Sequence, residues 1–80
     1  MNRLADRGIC ERAVEEMDRK IQENKSRVSV ELKRLGLTHG AYDNWRAWRA
    51  CPGAFTLSRM ATYGYDVMYI LTGKRTVGNK

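Results

Sequence analysis

In eighty residues the chain has one proline, one histidine and two cysteines. Each scarcity removes a class of function. Cys10 and Cys51 belong to no C-x-x-C pair, so neither a disulfide framework nor a zinc knuckle is written in the sequence. Both read as ordinary residues of a reducing cytoplasm, one on a helix face and one in a loop. The N-terminus lacks an apolar leader segment, and no stretch approaches the roughly 18 apolar residues of a membrane span. His39 stands among small and polar residues with no Ser/His/Asp or Cys/His arrangement, and no glycine-rich phosphate loop follows a strand. The chain is therefore not expected to be an enzyme or to hold a cofactor or metal. Internal repeats, low-complexity segments and strand-like alternation are absent as well. The length leaves room for one core only, spanning 1–80 as a single domain. A domain this small hides roughly 60% of its unfolded surface, which favours support from a partner or a second copy.

What is abundant is positive charge. Fifteen Lys and Arg stand against nine Asp and Glu, for a net charge of +6. The excess is uneven: residues 1–24 sum to −1, residues 25–50 to +4 and residues 51–80 to +3. A polyanion such as nucleic acid would thus lie against what residues 25–80 build.

Apolar residues set the elements. Ile9, Ala13, Met17 and Ile21 recur every four residues beside Cys10 and Val14, which predicts an amphipathic helix from Ile9 to about Asn24. Its other face, with Glu15, Glu16, Arg19, Lys20 and Glu23, reads as solvated, with (i, i+4) pairs Glu15–Arg19 and Glu16–Lys20. Ser26 is the expected N-cap of a second helix that buries Val28, Leu32 and Leu35 and stops at Gly36. Thr38 is the expected cap of a third, running through Tyr42 and Trp45 to about Arg49. These two short helices make a helix-turn-helix candidate over about 26–49. Ala50 to Gly53 is a break, after which Phe55, Leu57, Met60 and Ala61 are the apolar positions of a fourth helix closed by Gly64. Asp66 caps a short fifth helix, Val67 to Leu71, and residues 74–80 read as a frayed tail.

Three segments in one register resemble the phage repressor and Cro-like helix-turn-helix regulators. Leu35-Gly36-Leu37-Thr38 is similar to the family's turn, and Ala41-Tyr42-Asp43-Asn44-Trp45 to its recognition helix, with Pro52 seven residues beyond the tryptophan. The run from Leu57 to Gly73, through Asp66 and Tyr69-Ile70-Leu71-Thr72, is similar to the family's closing signature. The chain departs from the pattern at Glu31, where an apolar residue is usual, and at Leu32, where a small one is. Trp48 stands at a common glycine position, which suggests a longer third helix, and Asp43 puts a negative charge on the presumed DNA-facing surface.

The resemblance implies an all-α bundle of about five short helices, a lambda-repressor-like DNA-binding domain, acting in the cytoplasm of a bacterial or phage-infected cell. It implies a third helix in the major groove and a second across the backbone. By position His39, Gly40, Asp43 and Asn44 would face the bases. An asparagine amide can pair with adenine and an aspartate can accept from cytosine. Lys25, Ser26, Arg27, Thr38, Arg46 and Arg49 would hold phosphates, with Lys74 and Arg75 as weaker candidates. Tyr42 and Trp45 are expected in the core, Trp48 against the fourth helix, and Tyr65, Met68 and Tyr69 at a dimer patch. The expected function is a transcriptional regulator that binds a pseudo-palindromic double-stranded operator as a homodimer and represses. The rival is a helix-turn-helix scaffold working through protein contacts, as an antirepressor, an antitoxin or an inhibitor of a host factor. Relatives with this ending often continue into a linker and another domain, which leaves open whether the chain is a whole protein or an N-terminal part.

Overall fold

A computed structural model describes residues 3–75, with side chains from Arg7 onward. It is all-helical: α1 (Arg3–Asn24), α2 (Val28–Arg34), α3 (Gly40–Arg46), α4 (Ala54–Thr62) and α5 (Val67–Thr72). No described helix is long and apolar enough to cross a membrane. The first helix starts well before the expected Ile9. Its four-residue stripe does what the spacing requires: Ala13 and Met17 are fully buried, with Ile9, Val14 and Ile21 packed around them. α1 is the common wall against which α2, α3 and α5 pack, while α4 lies on α5 and sends Met60 into the core. Leu32, Leu35, Trp45, Tyr65 and Ile70 complete that core.

Helix ends follow one recipe. At the close of α2, Gly36 takes φ +74°, the Gly36 N–H donates to the Lys33 carbonyl and the Leu37 N–H to the Leu32 carbonyl at 2.8 Å. This is the paired bonding of a left-handed helix cap. Arg59 from α4 completes it by donating Nε–H to the Leu35 carbonyl at 2.7 Å. Glycine also keeps clear a space that a Cβ would share with that guanidinium at 3.2 Å. As expected, Gly64 caps α4 in the same conformation, and the Asp66 carboxylate accepts the Tyr69 N–H at 3.0 Å to start α5.

Two carboxylates are buried where a solvated face or an apolar residue was expected. Glu16 is 0% exposed. It accepts from Arg19 at 2.8 and 3.0 Å, from the Asp66 backbone N–H at 3.0 Å and from Arg75 at 2.6 Å. Burial pushes its carboxyl upward, but Arg19, the Asp66 amide and Arg75 outweigh that and hold it down at about 2. The anticipated Glu16–Lys20 and Glu15–Arg19 pairs give way to this arrangement: Arg19 joins Glu16 and Glu23, and Lys20 joins Glu23. Glu31 accepts the Tyr65 hydroxyl at 2.8 Å and the Asn24 amide at 3.4 Å. These bonds keep its carboxyl below the ordinary range against the opposing effect of burial. A buried acceptor therefore stands on α2 without loss because α1 and Tyr65 supply its donors.

The expected frayed tail begins later than Gly73. Arg75 is exposed but bonds Glu16 and Asp66 and lies 3.9 Å from the Tyr69 ring, so its guanidinium is held by carboxylates of the fold. The remainder of that tail, 76–80, lies outside the described residues.

The cysteines are the clearest correction. Cys10 and Cys51 form a disulfide between α1 and the α3–α4 connection, with Cα atoms 4.9 Å apart. Sequence spacing misses it because neither residue has a near neighbour in sequence to suggest pairing. The proximity comes from α3 packing on α1.

Candidate nucleic-acid interface

The segment between α1 and α3 sets out most of the candidate contacts. Lys25 is exposed and takes φ +51° as α1 ends, with the Ser26 N–H donating to the Ile21 carbonyl at 2.9 Å. The N-cap of α2 is Arg27, in extended conformation, and no side chain caps that helix. Ser26 therefore does not fill the capping role expected of it, because it is still part of the turn that closes α1. α2 spans seven residues instead of about ten, which shortens the dipole behind any phosphate at its start. Thr38 also precedes its helix by two positions: its carbonyl accepts the Ala41 N–H at 3.1 Å, and His39 occupies the cap without a side-chain bond. Thr38, His39 and Gly40 are all exposed.

α3 divides cleanly. Trp45 is 3% exposed and Tyr42 packs against the core, as expected, and Ala41 packs there too. The Tyr42 hydroxyl donates to Asp18 at 2.6 Å, and burial together with that carboxylate pushes the phenol up to about 12. Asp43 and Arg46 are exposed on the remaining surface, and Asn44 is half-buried. Arg46 lies over the Tyr42 ring at 5.8 Å.

The third helix stops at Arg46 instead of reaching Arg49, and Trp48 explains why. It takes φ +60°, its N–H donates to the Trp45 carbonyl, and the Arg49 N–H donates to the Asn44 carbonyl at 2.9 Å. These are the bonds that Gly36 organises at the end of α2, here made around a tryptophan. The glycine position therefore keeps its glycine-like backbone, and the helix is not extended. Trp48 is 46% exposed and outside the buried core, with the Arg7 guanidinium of α1 3.6 Å from its ring centroid. The reversed chain brings Arg49 back onto Asn44, and Arg49 Nε–H donates to Asn44 Oδ1 at 3.1 Å.

Charge is distributed unequally around this frame. Among the described residues Lys25, Arg27, Lys33 and Arg46 form no ion pair and Arg34 reaches only Glu31, at 3.9 Å, whereas Arg19, Lys20 and Arg75 pair with carboxylates on α1 or at the start of α5. Arg7 and Arg12 of α1 meet the Trp48 ring and the Ile70 carbonyl instead. Lys33 was not anticipated as a contact, although it lies one turn beyond Ser29 on α2. Ser29, Lys33 and His39 line one open groove of about 560 Å³ with Val30, Leu32 and Leu37, so α2 and the turn share a surface. Of the sequence-predicted contacts, Asn44 and Arg49 are the pair joined by a hydrogen bond.

The expected dimer patch separates into its members. Tyr65 is 4% exposed with its hydroxyl on Glu31, so its ring is core and unavailable to a second subunit. Tyr69 is half-buried, donates its hydroxyl to Glu15 at 2.7 Å and is covered by Arg75. Met68 is 50% exposed. Leu71, Tyr63 and Phe55 are exposed too, Phe55 at 75% although it was expected among the apolar positions of the fourth helix.

Set against known protein families, curated proteins and solved structures, the chain matches none of them.

Proposed function

We propose that this chain is a sequence-specific regulator that binds double-stranded DNA in the manner of the phage repressor and Cro-like helix-turn-helix proteins. In this reading α3 enters the major groove with His39, Gly40, Asp43 and Asn44 towards the bases, and α2 crosses the backbone. Lys25, Arg27, Lys33 and Arg46 neutralise phosphates, a homodimer occupies a two-fold operator in the bacterial cytoplasm, and occlusion represses transcription. The observation that carries it is the charge partition. Arg19, Lys20 and Arg75 are consumed by carboxylates, while from the α1–α2 turn to the end of α3 Lys25, Arg27, Lys33 and Arg46 form no ion pair among the described residues and Arg34 alone pairs, with Glu31 at 3.9 Å.

Selection of bound duplexes from a random pool, with affinities compared at two salt concentrations, tests the reading. The expected result is a two-fold symmetric site bound about a thousandfold or more above scrambled DNA. Arg27→Ala then weakens every sequence and shallows the salt slope, while Asn44→Ala relaxes one base position. Weak binding that disappears with salt and enriches no sequence would reject it. The second reading, a scaffold for protein contacts, draws on the exposed Phe55, Met68 and Leu71. It gains if no duplex enriches.

A further inference from the structure

Arg49 was expected to hold a phosphate, but its geometry fits a different task. An asparagine amide has two faces of opposite character, an oxygen that accepts and an NH2 that donates, and a free side chain presents either by rotation. A guanidinium can only donate. The 3.1 Å bond from Arg49 Nε–H therefore assigns the Asn44 oxygen to the arginine side and fixes the amide in one of its two orientations. The backbone enforces the approach: the Arg49 N–H is bonded to the Asn44 carbonyl at 2.9 Å, the consequence of left-handed Trp48. Among the described residues no acceptor takes the Asn44 Nδ2 protons, which leaves them for a ligand.

We propose that Arg49 is a positioning residue for base selection: it locks the Asn44 amide so that the NH2 group is offered outward to an acceptor edge. The inference rests on the DNA-binding reading. In the major groove acceptor edges belong to purines, through N7 and guanine O6, and to thymine O4, whereas cytosine offers a donor. The locked amide consequently discriminates against cytosine at the position it meets. The second lone pair of Oδ1 stays open to an adenine amino group, so adenine remains compatible with the lock.

The test measures relative affinities for all four base pairs at the position most affected by Asn44→Ala, in wild type, Arg49→Ala, Arg49→Lys and Arg49→Ala/Asn44→Ala. It is joined to NMR of the Asn44 side-chain NH2 in the free protein. Arg49→Ala is expected to relax selection against cytosine by about tenfold, within the range a good side-chain pair supplies. The double variant should be no more relaxed than Asn44→Ala. Arg49→Lys keeps the charge without the planar donor, so it should preserve the salt slope and still relax selection. The Asn44 NH2 signals should shift in both single variants. A uniform loss at all four base pairs with a shallower salt slope, rescued by Lys, would mark Arg49 as a phosphate contact and overturn the proposal. An unmoved Asn44 signal also overturns it, by removing the lock. Shifted signals in a protein that selects no sequence overturn it differently: the lock exists, and it is the DNA-binding reading that has failed.

Discussion

Where α1 meets α5, Arg19 and Arg75 meet carboxylates, and where α3 ends Arg46 and Arg49 meet only neutral groups. Glu16 gathers Arg19, Arg75 and the Asp66 amide, and Glu15 takes the Tyr69 hydroxyl. The α3 end instead holds a tryptophan at positive φ, an exposed Arg46 and a guanidinium spent on a neutral amide. Helix ends sharpen the contrast, since α4 closes on Gly64 without strain and α3 closes on Trp48. A bulky residue in the left-handed region costs on the order of 1–3 kcal/mol and persists only where its surroundings hold it. Around Trp48 those surroundings are Arg7 on one side of the turn and the Cys10–Cys51 bond three residues on. The first region stabilises itself through satisfied polar groups, and the second is tethered from outside.

Cutting the tether should have the largest effect. A crosslink between residues 41 apart restricts the unfolded chain enough to contribute about 4 kcal/mol in the loop-entropy view. Reduction by a dithiol, or the Cys10→Ser/Cys51→Ser pair, is therefore expected to lower the unfolding free energy by about that amount in urea titrations. Amide exchange should quicken first from Ala47 to Gly53, with the α1–α5 contact following only on global unfolding. If stability were the same in reduced and oxidised protein, packing of α3 on α1 would be holding the connection unaided. The measurement bears on function too, because a cytoplasm normally keeps such pairs as thiols.

Next in size is the removal of the hub on the opposite side. Glu16→Gln deletes a buried charge that two arginines and an amide were arranged around, and a loss of about 3 kcal/mol is expected. The pH dependence carries the sign. Glu16 sits at about 2 in the fold against an ordinary 4.5, so its contribution is complete above 4.5 and disappears as pH falls towards 2. Integrated, that shift is worth about 3 kcal/mol. Wild type should lose stability more steeply than Glu16→Gln across this window, while selection of bound DNA at neutral pH should be unaffected for the folded fraction. Parallel acid curves would mean that Glu16 titrates alike in both states.

Much of the fold was legible because local chemistry decided it. The four-residue stripe of α1, Gly36 and Gly64 as helix ends, and Asp66 as the cap of α5 are each set by a residue and its near neighbours. What escaped depends on partners distant in sequence. Glu16 looked solvated because its donors Asp66 and Arg75 lie 50 and 59 residues away, and Cys10 looked unpaired because Cys51 is 41 away. The same blindness made Tyr65 look like surface, although Glu31 draws its hydroxyl inward. In the candidate interface the shared inner face of Tyr42 and Trp45 followed from periodicity, while the outward place of Asp43 came from the family resemblance. The Asn44–Arg49 bond did not, since reading a longer helix through Trp48 sends Arg49 onward along the axis instead of back.

The smallest effect isolates Trp48 itself. Trp48→Gly relieves the left-handed backbone but gives up the stack with Arg7, two terms of opposite sign, each about 1 kcal/mol, so the net change should stay within about 1 kcal/mol. A double-mutant cycle separates them. Arg7→Ala alone should cost about 0.5–1 kcal/mol, and the same change in the Trp48→Gly background should cost almost nothing, because the cation then has no ring to cover. If Arg7→Ala costs the same in both backgrounds, the 3.6 Å contact contributes little and something else holds the turn. Protection of the Arg49 amide is the companion readout. Retained in Trp48→Gly, it shows that the reversal onto Asn44 belongs to the helix end; lost, it shows that the tryptophan is what turns the chain back.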